Sequence, residues 1–108
     1  MNDLSVVLEA IAHPSRRAIL ARLSKGPARV TEIAEPFDMS LNAVSKHLKV
    51  LEEAGLVHRE VQGRDHFIEF RGAPLRQVAG WVHEYERFWN EHLDRLESHF
   101  IEKRKRKS

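Results

Sequence analysis

The chain has 108 residues, no cysteine and a formal charge of +2, so it is read as one domain with a modest core, and disulfides, thiolate metal ligands and thiol redox sensing are excluded. The basicity is uneven: residues 1–72 hold 10 basic and 10 acidic side chains, 73–102 hold 3 and 6, and 103–107 add 5 basic ones. Any affinity for a polyanion must come from where the folded part places its cations, because the overall charge reports mainly the end of the chain.

The opening residues, MNDLSVVLEAIAHPSRR, lack a basic segment followed by an apolar core and a small-residue cleavage site, and no apolar run approaches a membrane span; a cytoplasmic location is expected. Leu4, Val7, Leu8 and Ile11 share one helical face, which predicts a first helix over 3–12 with Asn2 or Asp3 as its cap. Pro14 closes that helix and opens a second over 15–24, expected to bury Ala18, Ile19 and Leu23 and to stop at Gly26-Pro27. An extended stretch at 28–30 leads to a short helix over 30–37 with Ile33, Ala34 and Phe37 inward, and Asp38-Met39 leaves room only for a turn.

Residues 40–57, SLNAVSKHLKVLEEAGLV, carry the most information. Ser40 is placed to accept a hydrogen bond from the first helical turn, and Gly55 supplies the left-handed residue that commonly ends a helix. Val44, Leu48 and Leu51 recur at i, i+4 and i+7 on one buried stripe, with His47 beside it as a packing residue. Leu41, Asn42, Ser45, Lys46 and Lys49 project from the other side, where no acid appears before Glu52. Two helices joined by so short a turn form a helix-turn-helix, whose second member enters the major groove of DNA.

Residues 56–62 and 65–71 alternate apolar and polar side chains around Gly63-Arg64, a tight-turn signal. The hairpin is the wing of a winged helix. Gly72-Ala73-Pro74 is read as a linker, and residues 75–103 as one long last helix. Leu75, Val78, Val82, Tyr85, Trp89, Leu93, Leu96 and Phe100 make one stripe on it, and Trp81, Phe88 and His92 a second. Two stripes need two partners. One closes the core of its own subunit and the other meets a second copy, with the first helix alongside, giving an expected homodimer interface of Leu4, Leu8, Trp81, Phe88, Trp89, His92 and Leu96. The fold class is mainly α with a small β-hairpin, a winged helix-turn-helix of order α-α-α-α-β-β-α with a long C-terminal dimerisation helix. Residues 1–102 form its one domain, and 103–108 form a basic tail too charged to pack and expected to be disordered.

Three stretches, AHPSRRAILARLSKG at 12–26, VTEIAEPFDMSLNAVSKHLKVLEEAGLV at 30–57 and the wing to Arg71, give the chain its resemblance to the ArsR-type family of bacterial winged-helix transcription regulators, over essentially residues 3–101. The resemblance implies a homodimeric repressor that binds an operator of two-fold character and releases it when an effector binds. Trp81, Phe88-Trp89 and Leu93-Asp94 look like a branch of the family without thiolate sites. Metal-sensing members use cysteines near the recognition unit, or Asp-x-His and His-x-x-Glu pairs on the last helix. This chain offers Asn90-x-His92 and His99-x-x-Glu102, with Asn in place of the acid and the two halves too close together. His83, His92, His99 and Glu102 are therefore only weak candidates for a metal-responsive alternative, and no metal or other cofactor is expected.

For DNA, Asn42 suits an adenine edge, Ser45 several bases and Leu41 a thymine methyl. Lys46 and Lys49 suit phosphates, with Lys46 also within reach of a guanine, and Ser40 suits a phosphate at the helix start. In the wing, Arg64 suits a narrow minor groove with Gln62 and His66 flanking it. Arg16 and Arg17 open a helix where cations oppose its dipole, which calls for a phosphate or a carboxylate such as Glu9 or Glu53. Catalysis is not expected, since no glycine-rich phosphate loop follows a strand and no nucleophile stands beside a base. A winged helix used only for protein contact is the other alternative.

Overall fold

A computed structural model describes the backbone of residues 3–107 and the side chains of residues 3–101; residue 108 and the side chains of Glu102 and 103–107 lie outside the described residues. The chain divides into one compact unit over Met1–Val78 and a second over Ala79–Ser108.

In the first unit, α1 (Leu4–Ile11) starts at Asp3, whose backbone is extended but whose side chain makes no capping bond. Val7 and Ala10 are its buried residues, while Leu4 and Leu8 are half-buried. Pro14 opens α2 (Pro14–Leu23), where the missing proline N–H has no helical partner to lose. His13 caps that helix, its Nδ1 accepting from the Ser15 N–H at 3.2 Å. The expected inward face of α2 is corrected by one position: Ala18 is exposed, and Ile19, Leu20 and Leu23 are buried. Those three sit at i, i+1 and i+4, a stripe that turns Ala18 outward and gives the core a leucine in its stead.

The extended stretch before the helix-turn-helix is a true strand, β1 (Ala28–Arg29). It is followed directly by α3 (Val30–Ala34), shorter than the 30–37 read from the sequence. Pro36 has no N–H with which to continue the ladder, and the Phe37 N–H instead closes a turn on the Ala34 carbonyl at 3.0 Å. Ile33 is fully buried, and Ala34 and Phe37 pack against the core.

Helix α4 (Leu41–Glu53) is bounded as its sequence predicts. Ser40 is extended, and its Oγ accepts from the Ala43 N–H at 3.1 Å. Gly55 is left-handed at φ +78°, and the Leu56 N–H donates to the Leu51 carbonyl at 2.9 Å, which closes the last turn. Val44, Leu48 and Leu51 are all completely buried.

The wing consists of β2 (Val57–Gln62) and β3 (Asp65–Phe70), antiparallel, with Gln62 opposite Asp65 and Gly63-Arg64 as the loop. Gly63 has φ +64°, a value that two-residue hairpin loops demand and side chains resist. The sheet has a third member, since β1 pairs with β3, Ala28 opposite Ile68 and Arg29 opposite Phe67, in the order β1-β3-β2. This strand ties the start of the helix-turn-helix to the wing. α5 (Ala73–Lys107) begins inside the expected linker, with Pro74 in its first turn, and Leu75 and Val78 pack on the core.

The second unit is the continuation of α5. From residue 79 to 101 every side chain is exposed, including Trp81 at 44%, Phe88 at 59%, Trp89 at 44% and Leu96 at 40%. The expectation that one of the two stripes closes the core of its own subunit is met only at the start of the helix: Leu75 and Val78 are partly buried, while Val82, Tyr85, Trp89, Leu93, Leu96 and Phe100 of the same stripe are exposed. No helix among the described residues is long and apolar enough to cross a membrane.

Candidate nucleic-acid interface

With its apolar stripe buried, α4 presents the opposite face to solvent. Leu41 is 51% exposed, Asn42, Lys46 and Lys49 are exposed, and Ser45 is half-buried. Ser40 uses an oxygen lone pair for the cap, so its hydroxyl hydrogen stays free to donate. The first acid after the lysines is compensated: Glu52 Oε2 accepts from Arg59 Nε at 3.1 Å. The exposed face is thereby cationic through Lys49, and Glu53, exposed on the same side, closes it at the end of the helix.

Arg59 also donates through NH1 to His66 Nδ1 at 3.1 Å. A guanidinium can only donate, so Nδ1 is the acceptor and the imidazole proton sits on Nε2. One side chain thus joins the end of α4 to β3. The sequence reading missed Arg59 because its two partners are separated from it by a helix end and a hairpin, and nothing local marks such a pairing. On the wing, Gln62 and Arg64 are exposed at the turn, and His66 is exposed beside them.

Between α4 and the wing lies a cavity of about 290 Å³, lined from α4 by Leu41 and Ser45, from the wing by Arg64, Asp65 and His66, and below by Arg29 and Thr31. Four predicted site residues, Leu41, Ser45, Arg64 and His66, thus share one cleft. Asn42, Lys46 and Lys49 lie on the same helix outside it, and Gln62 on the neighbouring strand end.

Arg16 and Arg17 stand apart from this face and are answered differently from either sequence alternative. Arg16 donates from Nε to the Ala10 carbonyl at 2.7 Å and from NH2 to the Glu9 carbonyl at 3.2 Å. Arg17 NH1 donates to the Ile11 carbonyl at 2.8 Å. They cap the C-terminus of α1, whose negative end offsets the unfavourable position of two cations at the start of α2. Glu9 takes part through its backbone, not its carboxylate, and Glu53 takes no part.

Arg16 NH1 further contacts His47 Nδ1 at 3.3 Å, and the His13 and His47 rings lie 4.6 Å apart between centroids. Burial, then the neighbouring His13 and Arg16 charges, hold the His47 pKa below its ordinary value. His47 is the packing residue its position implied, with a charged neighbourhood that its position did not disclose. On α5, the Phe88 and His92 rings stack at 6.4 Å, His83 lies near Glu86 and Asn90, and His99 near Asp94 and Ser98. Among the described residues no three histidine or carboxylate side chains gather as a metal site; Glu102 is not among them.

His47 gives a test by pH. Its native pKa is depressed, so between that value and 6.5 the unfolded chain binds more protons than the folded one. Its contribution to stability is complete above 6.5 and is lost as pH falls through the lowered native value. Replacing His47 by Gln is expected to flatten the decline of the urea midpoint between about pH 8 and pH 5; an equally steep decline in the variant would show that other groups cause it.

A helix-turn-helix domain model matches residues 11–60. The HTH-type transcriptional regulator NmtR of Mycobacterium tuberculosis is 47% identical over 62 residues, 57% of this chain and 52% of its own length, so the match spans about half of that protein. The transcriptional repressor SdpR of Bacillus subtilis is 30% identical over 76 residues, covering 70% of this chain and 84% of SdpR. Among solved structures, that of the ArsR family transcriptional regulator RHA00566 superposes with a TM-score of 0.76 at 40% identity, covering 81% of this chain and 96% of that one.

Proposed function

Because the chain belongs to the ArsR family of winged helix-turn-helix transcriptional regulators, we propose that it is a sequence-specific DNA-binding repressor, acting as a homodimer on an operator of two-fold symmetry. The observation that carries this reading is the solvent face of α4, exposed at Leu41, Asn42, Lys46 and Lys49, with its acids confined to the C-terminal end, where Glu52 is tied to Arg59 and Glu53 is exposed. Such a face suits the major groove. Asn42 pairs with an adenine edge, Leu41 meets a thymine methyl, and Ser45, half-buried, reaches the bases nearest the cleft. Lys46 and Lys49 neutralise phosphates, as does the Ser40 hydroxyl at the start of the helix.

The wing follows the backbone to the adjacent minor groove, where Arg64 enters and Gln62 and His66 flank it. With Nδ1 occupied by Arg59, His66 donates only through Nε2. Arg16 and Arg17 are assigned to the end of α1 rather than to DNA in this reading, Arg16 through two donors and Arg17 through one.

Dimerisation is supported by the exposed aromatic and aliphatic surface of α5, where Trp81, Phe88, Trp89 and Leu96 all meet solvent in the single chain. Exposed apolar surface of that extent marks an interaction site. Two copies joined through it place their recognition helices in successive major grooves, about 34 Å apart. Bound there, the dimer blocks transcription, in a cytoplasmic setting.

A mobility-shift titration with random duplex DNA at low salt is the first test, and no shift at micromolar protein would overturn the reading. Asn42→Ala is expected to cost about 1 to 3 kcal/mol on an operator selected from random sequence and much less on unrelated DNA; equal losses would make Asn42 a positioning contact only. Lys49→Ala is expected to weaken all sequences alike and to flatten the slope of log K against log salt by about 0.9 per contact, and an unchanged slope removes it from the phosphate contacts. Phe88→Glu is expected to convert the dimer to monomer in sedimentation equilibrium and to abolish tight operator binding while leaving the first unit folded. A dimer of unaltered affinity in that variant would place the interface elsewhere.

A further inference from the structure

The cleft between α4 and the wing holds one cation, Arg29, to which neither the helix nor the wing contacts give a task. Three guanidiniums line it, Arg29, Arg59 and Arg64, against the single carboxylate of Asp65. Arg59 is committed to Glu52 and His66. Arg64 has no ion pair among the described residues. Arg29 is held in an unusual way: its guanidinium carbon lies 5.4 Å from the centroid of the Phe67 ring, opposite which it pairs in the sheet. Its NH2 is 3.8 Å from Asp65 Oδ2 and its Nε is 4.0 Å from Glu32 Oε1. Both separations exceed hydrogen-bond length, and both pairs are half exposed, where such contacts contribute little. The aromatic face therefore positions the guanidinium without occupying its N–H donors.

We propose that this cleft seats one phosphate of the DNA backbone, with Arg29 as its cation, and that the phosphate displaces Asp65 from Arg29, while Arg64 at the wing end of the cleft remains the minor-groove residue. The inference rests on the DNA-binding reading and adds to it a contact from β1, outside both the recognition helix and the wing. The volume, about 290 Å³, equals roughly ten water volumes, ample for a phosphodiester and its hydration. The walls supply suitable chemistry, since Thr31 and Ser45, each with a hydroxyl, line the same cleft. A guanidinium fork matches phosphate oxygens in pairs, giving shorter and stronger bonds than the loose contact with Asp65. The position follows from the course of the nucleic acid, since a strand leaving the groove read by Leu41 and Ser45 for the minor groove at Arg64 crosses this cleft.

The test uses the full chain and a labelled random duplex, with fluorescence anisotropy read across a salt series. Arg29→Ala is expected to weaken binding on every sequence and to flatten the log K against log salt slope by about 0.9 per chain bound. Arg29→Lys, which keeps the charge, is expected to restore most of that slope. Asp65→Asn is expected to act with opposite sign and to tighten binding more than Glu60→Gln, which removes a wing carboxylate that does not line the cleft. If Arg29→Ala lowers only the melting temperature and leaves affinity and slope unchanged, while Lys49→Ala still flattens the slope, the cleft is a structural tie and the inference falls with the DNA reading intact. Equal effects of Asp65→Asn and Glu60→Gln would also overturn it. A wild-type chain that does not bind the duplex at all would overturn the DNA reading and the cleft together.

Discussion

The rotational setting of α4 about its own axis decides everything its outer face can do, and that setting is fixed from behind. Val44, Leu48 and Leu51 are completely buried among Ile19, Ile33, Leu56 and Ile68. Burying each such side chain contributes about 1.5 to 3 kcal/mol, whereas an exposed ion pair contributes roughly 0 to 1. No surface contact can turn the helix against three buried residues. Leu41, Asn42, Lys46 and Lys49 therefore face outward because the core leaves them no alternative, and the Ser40 cap with the left-handed Gly55 fixes where that face begins and ends. Specificity candidates and core residues are two readings of one helical period.

The same core positions the wing, through the sheet rather than through the hairpin itself. Ile68 is fully buried and lies opposite both Ala28 in β1 and Arg59 in β2. A two-stranded ribbon is marginal alone, and the short third strand gives β3 a partner on each side. Arg59 then links the wing to the end of α4 through Glu52 and His66. The helix and wing are consequently held to each other at both the strand level and the side-chain level, which is what a reader of two adjacent grooves requires.

Residue pattern alone disclosed those parts of this architecture whose causes are local. The cap and stop of α4, the hairpin turn at Gly63-Arg64 and the buried stripe are all set within a few residues of where they act. What it did not disclose depends on partners distant in the chain. Two residues of β1 show no alternation of their own, and their pairing with Ile68 and Phe67 is a property of the folded sheet. Arg16 and Arg17 announced a need for negative charge, correctly, but the nearest negative charge was the end of a helix dipole rather than any side chain. On α5 the amphipathic stripes were evident, while the point at which burial stops, after Val78, is set by how far the core extends and not by the helix sequence.

Residues 1–72 are electrically neutral as a whole, which raises the question of how they attract a polyanion. The answer lies in how the acids are distributed among partners. Glu52 is held by Arg59, Glu69 lies 3.5 Å from Arg71, and Glu32 and Asp65 both lie near Arg29. Each such neighbour screens a carboxylate on or beside the reading face, while Lys46, Lys49 and Arg64 have no ion pair among the described residues. Opposite charges a few ångströms apart cancel at distances beyond the Debye length of roughly 8 Å at physiological salt, so an approaching phosphate meets Lys46, Lys49 and Arg64 toward the helix start and the wing turn, with Glu53 and Glu60 as the unpaired carboxylates of α4 and the wing among the described residues. Local compensation thus leaves a positive region at the first turns of α4 and the wing turn within a neutral unit. That field is short-ranged, acting at the surface of α4 and the wing, so in the proposed complex discrimination is left to the base contacts assigned to Asn42, Leu41 and Ser45.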